Sequence, residues 1–471
     1  MTVLFAVSEA VPFCKTGGLA DVAGSLPAAL AEAGVETAVI LPLYESVAET
    51  WKDRMSFVGS LTVPLAWRYQ YCGLFRLELE GVTYYFVDNE YYFKRPGLYG
   101  YYDDGERFGF FSRAVAEIFP LLGKRPDVIH CNDWQTALIP VYLRESGLAG
   151  EIKTVFTIHN IEYQGRYAKE TLGDLFGLPQ RLYDDGTTEY YGDICLLKGG
   201  LMCCDRITTV SPTYARELQY SFYAHGMEGV IAACGYKLRG ILNGIDTRLY
   251  DPETDPFLRK PYSAANTGGK ATDKRHLRAA LGLGEESGTA IAACITRMAE
   301  HKGMDLIVSA FPRMMELPLQ FVILGQGERR YEEFFRSMQE RYPGRVSANI
   351  QYSAELSSRI YAGADLFLMP SRSEPCGLSQ MIAMRYGTAP VVRETGGLRD
   401  TVSPYMPGAG TGFTFANYDA DDMLGALQRA LTVYADRKEW LHLRKRCMSA
   451  DFSWSRSAAE YLKIYRDLAG V

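Results

Sequence analysis

The feature that most constrains the fold of this chain is a repeated alternation, in which short, nearly continuous β-rich runs are separated by segments of helical period. In the first half such runs fall at residues 3–7, 37–41, 84–87, 128–130, 154–158 and 207–210. A continuous apolar run is what a strand buried on both faces requires, and helical segments between runs supply the crossovers. The pattern therefore predicts a parallel sheet covered by helices. Asn243-Gly244-Ile245-Asp246 and a polar stretch with Pro and Gly over 251–270 interrupt the rhythm, which restarts at 290–295 and continues at 321–324, 350–352, 366–369 and 389–392. A chain of 471 residues is too long for one ordinary core. The expectation is an α/β protein of two doubly wound parallel-sheet domains, residues 1–244 and 245–452, with a boundary near Gly244. Residues 453–471 read as a terminal helix, capped by Ser453 and crossing back to the first domain, because Ala458, Tyr461, Leu462 and Tyr465 recur at helical spacing.

Composition excludes several functions. Apolar residues make up 47% and charged residues 23%, so each domain can bury a full core. A net charge of -6 provides no basic field for a polyanion, which argues against nucleic acid as a partner. The ten cysteines lack C-x-x-C spacing, and reduced thiols in a cytoplasmic protein fit best. No stretch approaches the ~20 apolar residues that span a bilayer, and residues 3–7 read as a first strand, not a signal peptide.

Chemistry is concentrated where strands give way to helices. Lys15-Thr16-Gly17-Gly18-Leu19-Ala20-Asp21-Val22 follows the first strand and opens an Ala/Leu-rich helix over 19–33. Gly17 and Gly18 permit close backbone approach, the helix start favours an anion, and Lys15 adds a charge. The pattern is neither G-x-G-x-x-G nor a P-loop, and the glycines could simply make a tight turn. In the second half, Thr296-Arg297-Met298-Ala299-Glu300-His301-Lys302-Gly303 follows the equivalent strand. Arg297 offers a guanidinium fork and Lys302 a point charge for a diphosphate; the alternative is that both are merely solvated. Pro370-Ser371-Arg372-Ser373-Glu374-Pro375-Cys376-Gly377-Leu378 would hold Glu374 at a strand end, where it could otherwise just charge a helical turn. Glu394-Thr395-Gly396-Gly397-Leu398 is a further glycine turn before a helix.

His130-Cys131-Asn132-Asp133-Trp134 and Thr157-Ile158-His159-Asn160 place two of the six histidines at neighbouring strand ends. Either His130 or His159 could equally be a satisfied structural residue. The Tyr-rich segment 89–102 suits stacking on a sugar or a base, or packing of a surface loop by its own rings.

Together, K-T-G-G-L-A-D-V, H-N, R-x-x-x-x-K-G, E-P-C-G-L and T-G-G-L resemble bacterial glycogen synthases and plant starch synthases, in order and spacing over essentially the whole chain. The resemblance implies a GT-B type fold of two Rossmann-like domains facing across a cleft, the first on the acceptor side and the second on the donor side. It implies a retaining glucosyltransferase that elongates an α-1,4-glucan, glycogen or a malto-oligosaccharide, from ADP-glucose and releases ADP, with no metal and no cofactor. Carried over by position, Lys15, Gly17 and Gly18 would approach the distal phosphate and glucose. Arg297 and Lys302 would hold the diphosphate, and His159 and Glu374 would face the glucose. Cys376, Gly377 and Leu378 lie in the same matching segment as Glu374. Thr395, Gly396 and Gly397 would donate backbone hydrogen bonds, and Tyr352 would stack on adenine. Asp21, Asp133 and Asn160 would line the cleft. Two positions depart from the family pattern: His301 stands where Gln is usual, and Asn132 where His is usual. The rival readings are a UDP-glucose-dependent or sucrose-forming relative of the same architecture, a phosphorylase, and a non-catalytic glucan-binding protein. A nicotinamide oxidoreductase is disfavoured by the missing dinucleotide fingerprint.

Overall fold

A computed structural model describes residues 1–285 and 288–470. The chain divides into two compact units: residues 1–244 joined by the helix Trp454–Ala469, and Ile245–Ser453.

The first unit is built on strands β1 (Thr2–Ala6), β2 (Glu36–Pro42), β3 (Ser56–Leu65), β4 (Arg68–Leu79), β5 (Val82–Asp88), β6 (Val128–Asn132) and β7 (Lys153–Ile158). A small separate sheet comes next, β8 (Arg166–Tyr167), β9 (Glu189–Tyr190) and β10 (Asp193–Cys195), and then β11 (Arg206–Thr209) and β12 (Leu238–Gly240) complete the main sheet. The order is β12-β11-β7-β6-β1-β2-β5-β4-β3. From β12 to β5 every neighbour is parallel. Every residue of β1 and β6 is buried, as a central parallel strand demands. The chain winds from β1 to one side and returns through β6 on the other. The switch point between β1 and β6 is where an open α/β sheet leaves a crevice beyond its strand ends.

The parallel pattern stops at β5. Strands β4 and β3 add antiparallel to this edge, which the apolar-run reading did not include. One face of this hairpin buries Val63, Leu65, Cys72 and Leu74, while Tyr69 and Tyr71 point to solvent. Its tip carries Ala66 at φ 55° against Gly177, where a Cβ would come within 2.7 Å of the Ala66 nitrogen. Trp67 Nε1 donates to Asp174 Oδ1 at 3.1 Å and ties the tip down.

The helix Trp454–Ala469 belongs to this unit by its contacts. Trp454, Ala458, Tyr461, Ile464 and Tyr465 form its buried stripe. His130, inside β6, bonds through Nδ1 to the Tyr465 hydroxyl at 2.7 Å and through Nε2 to Thr157 Oγ1 at 2.5 Å. Burial holds its imidazole neutral, with a pKa lowered to about 3. His130 is therefore a structural residue that pins the terminal helix to the sheet.

The second unit has β13 (Ala290–Ile295), β14 (Leu319–Leu324), β15 (Val346–Asn349), β16 (Leu366–Met369), β17 (Ala389–Arg393) and β18 (Phe413–Phe415), all parallel, in the order β15-β14-β13-β16-β17-β18. The expected strand at 350–352 is not one. Pairing with β14 ends at Asn349, and Gln351 N turns back to the Asn349 carbonyl at 3.0 Å. Val346, 3% exposed, supplies the buried anchor, whereas the β-branched and aromatic residues after it lie past the last partner on β14.

Replacing Tyr465 by Ala should destabilise the first unit by about 3–5 kcal/mol through lost burial. Tyr465→Phe, which leaves His130 Nδ1 unpaired, should cost about 1–3 kcal/mol. Urea dependence of amide exchange in β6 measures both. Unchanged protection in Tyr465→Ala would contradict the docking role.

Candidate functional site

In both units the matching residues lie in loops at the carboxyl ends of central strands. Beyond β1, Glu9 is 3% exposed and its Oε2 accepts from both the amide and the hydroxyl of Thr16, each at 2.6 Å. This anchors the loop that carries Lys15, Gly17 and Gly18. Gly17 is the N-cap of the helix Gly18–Glu32 and offers no side-chain acceptor to its first turn. Lys15 Nζ donates to Asp21 Oδ1 at 2.7 Å, so the cation stands over the helix start, paired with an acid inside it. Burial raises the Asp21 carboxyl and Lys15 partly offsets it.

Beyond β6, Asp133 takes φ 55° with ψ -179°, a positive-φ extended conformation rare for a residue with a side chain. Its Oδ1 accepts from the amides of His159 at 2.7 Å and Asn160 at 3.4 Å, which shapes the loop after β7. Desolvation outweighs those bonds and pushes the Asp133 carboxyl up to about 7. The His159 ring bonds through Nε2 to Asn132 Oδ1 at 2.9 Å, and burial lowers its pKa to about 3. Asn160 Oδ1 accepts from the Glu162 amide at 3.0 Å.

In the second unit three loops, after β13, β16 and β17, are stitched together. Gly303 has φ 77°, and a Cβ there would fall 2.2 Å from the Pro370 carbonyl oxygen, so only glycine lets the first loop meet the second. The Arg372 amide donates to the His301 carbonyl at 2.9 Å. Gly396, at φ 44°, would place a Cβ 1.9 Å from the Glu374 carbonyl oxygen, and Gly397 would place one 2.0 Å from that of Cys376. Held between these neighbours, Glu374 is 6% exposed. Its carboxylate accepts from Lys302 Nζ at 2.9 and 2.8 Å and from Ser371 Oγ at 2.9 Å. Gly377, at φ 71°, makes the turn into the helix Ser379–Arg385, with Leu378 at its N-cap.

The structure thus gathers Lys15, Gly17, Gly18 and Asp21 in one loop of the first unit and the first turn of the helix it opens, and Asp133, His159 and Asn160 in an adjoining pair of loops. In the second unit it gathers Lys302, Glu374, Cys376, Gly377, Leu378, Thr395, Gly396 and Gly397. Arg297 is exposed just past β13, its Nη2 3.4 Å from His301 Nε2. Tyr352 stands apart beyond β15, two strands from β13, 81% exposed and without a hydrogen bond or ring contact among the described residues. Two amides expected to serve a ligand are already engaged: Gly397 N–H donates to the Glu374 and Pro375 carbonyls at 3.0 and 3.2 Å, and Thr395 N–H to the Arg393 carbonyl at 2.9 Å. Sequence reasoning misses Glu9 and Ser371. The one signal that could have found them is their place as polar residues set directly between a buried strand and a site loop.

Among the described residues no helix is long and apolar enough to cross a membrane. Residues 2–233 match the starch synthase catalytic domain family, and residues 279–443 match glycosyl transferases group 1. The chain is 50% identical over 474 residues to the glycogen synthase of Geobacillus thermodenitrificans (strain NG80-2), covering 99% of this chain and 98% of that one. Identity to the glycogen synthase of Alkaliphilus metalliredigens (strain QYMF) is 47%, over 99% and 100% of the two chains. The catalytic domain of starch synthase IV from Arabidopsis thaliana, solved bound to ADP and acarbose, superposes with a TM-score of 0.91 at 35% identity, covering 100% of this chain and 99% of that one. Sucrose-phosphate synthase from Thermosynechococcus elongatus, at 19% identity and a TM-score of 0.61, shares the fold alone. The chain therefore belongs to the glycogen and starch synthase family, as a glucan-elongating glycosyltransferase built on two Rossmann-like domains.

Proposed function

We propose that the protein transfers glucose from ADP-glucose to the end of an α-1,4-glucan with retention of configuration, releasing ADP. The observation that carries this reading is the half-buried Lys302–Glu374 pair beside the two glycine turns. It is supported by the ADP and acarbose held by the Arabidopsis relative. The second unit is the donor side and the first the acceptor side.

When the anomeric bond breaks, negative charge gathers on the departing diphosphate and positive charge on the sugar. Arg297 and Lys302 take the diphosphate, with Lys15 and the open amides of the Gly18–Glu32 helix adding charge stabilisation as solvent is excluded. Lys302 fits this task because its side chain keeps 22% exposure while Glu374 keeps 8%. The ammonium can reach a ligand oxygen without leaving the carboxylate far behind. Glu374, fixed by Ser371 and Lys302, faces the sugar and stabilises its developing positive charge or orients its hydroxyls; it is not assigned as a covalent nucleophile. His159 faces a glucose hydroxyl, Asn160, Asp21 and Asp133 complete the polar surface of the first unit's loops, and Tyr352 covers the adenine. The free chain holds Tyr352 solvent-exposed, so its stacking belongs to the bound state.

The direct test is ADP release from ADP-glucose, with UDP-glucose in parallel, with and without glycogen and with and without EDTA. Glycogen-dependent, EDTA-insensitive release from ADP-glucose, with UDP-glucose a much poorer donor, is expected. Preference for UDP-glucose would overturn the donor assignment, and glycogen binding without turnover would overturn the enzymatic one. Glu374→Ala should lower kcat by about 10²–10³-fold with a smaller change in donor affinity, because its contacts strengthen in the transition state. Near-normal turnover would remove that role. Lys302→Ala should weaken ADP binding as well as turnover, and an unchanged dissociation constant for ADP in calorimetry would contradict the diphosphate contact.

A further inference from the structure

The position where this chain departs from the family pattern at β6, Asn132, has a geometry that constrains a neighbouring site residue. Asn132 is 2% exposed, and its Nδ2 donates to the carbonyls of Ala6 at 3.2 Å and His130 at 3.1 Å. Both acceptors are main-chain carbonyls of neighbouring parallel strands, so the amide cannot be turned around without facing oxygen to oxygen. Its Oδ1 is therefore the atom 2.9 Å from His159 Nε2. A carbonyl oxygen only accepts, so the proton of that bond belongs to the ring. Nδ1 of His159 has no partner among the described residues, while the residue as a whole is only partly buried.

We propose that Asn132 is a positioning residue: its amide fixes His159 as the Nε2–H tautomer, so that Nδ1 is presented as a hydrogen-bond acceptor to a hydroxyl of the transferred glucose. The hydroxyl contact rests on the glucosyl-transfer reading; the tautomer does not. Which ring nitrogen carries the proton is set by the bond the other makes, and here that bond is dictated by an amide that has no alternative orientation. Desolvation works in the same direction, because it keeps His159 neutral with a pKa of about 3, so its lone pair is available throughout the physiological range. The titratable groups tied to it are His130 on β6, itself neutral, and the Asp133 carboxyl beneath the His159 amide; Glu9, Tyr99 and Tyr214 act on that carboxyl. None of them offers His159 Nε2 or Nδ1 a hydrogen bond, so Asn132 alone determines the tautomer.

The test uses the full chain labelled with ¹⁵N-histidine, with long-range ¹H–¹⁵N spectra and the His159 signals assigned through His159→Gln. The expected result in the free protein is a protonated Nε2, an unprotonated Nδ1 and no titration across about pH 5.5 to 9. A protonated Nδ1, or a ring that titrates in that window, would overturn the proposal. Asn132→Leu should release His159 into a mixture of tautomers. It should also lower kcat by about 10- to 100-fold, the range seen when a partner that orients a site group is lost, with KM for ADP-glucose changed far less. A wild-type tautomer or wild-type kcat in this variant would likewise overturn it. Because the tautomer is read without substrate, finding it as expected alongside no turnover would overturn the glucosyl-transfer reading and the hydroxyl contact together, and leave the control by Asn132 standing.

Discussion

The Lys302 ammonium lies between both oxygens of the Glu374 carboxylate, at 2.9 and 2.8 Å, and the loops of the second unit are arranged to keep it there. A carboxylate as buried as Glu374 is costly without a cation, and removing one partner of a buried pair typically costs about 3–5 kcal/mol. The glycines make that burial possible. Gly303, Gly396 and Gly397 each approach a neighbouring carbonyl more closely than any side chain allows, so the ends of β13, β16 and β17 close into one surface. The pair is thus part of the fold before any substrate binds, and under the proposed function it supplies the charges that a departing diphosphate and a cationic sugar require. Placing both charges in advance avoids reorganisation at the moment of reaction, which is where preorganised electrostatics gains its effect.

The first unit reaches a comparable end by different means. Its central strands are buried throughout, and beside the Lys15–Asp21 pair it is single polar side chains that organise the loops beyond them: Glu9 holds the glycine loop, Asp133 holds the loop after β7, and Asn132 holds the His159 ring. The terminal helix stabilises the same region from below through Tyr465 and His130. Two histidines at adjacent strand ends, indistinguishable by their sequence context, therefore have opposite uses: His130 is satisfied on both nitrogens inside the sheet, and His159 keeps one nitrogen unpartnered among the described residues.

Much of this was legible in the chain, for identifiable reasons. Strands such as β13 and β14 are buried on both faces and read as unbroken apolar runs, so the double α/β rhythm and the loops at its strand ends followed from period alone. The β3–β4 hairpin did not, because its outer face carries Tyr69 and Tyr71 where polar residues would mark a half-buried strand, and its tip uses Ala66 at positive φ in place of the Asn-Gly or Asp-Gly that signals such a turn. Strand β15 was displaced by a few residues because Ile350 and Tyr352 have strong β propensity, while pairing, which decides, ended at Asn349. In the site, residue type and motif identified the charged groups. Which group hydrogen-bonds to which could not be read from order: Ser371 on Glu374 depends on how a single loop turns, while Asn132 on His159 and the Gly397 amide turned to the Glu374 carbonyl join segments that follow separate strands.

The measurement that bears most directly on the account is a double-mutant cycle on kcat/KM for ADP-glucose with glycogen as acceptor, using Lys302→Ala, Glu374→Ala and the double variant. If the two side chains form one functional unit, the double variant should be hardly worse than the poorer single variant, with a coupling of about 1.5 kcal/mol or more. Additive losses would mean that Lys302 and Glu374 act independently and that the pair at the centre of the second unit is only a structural contact.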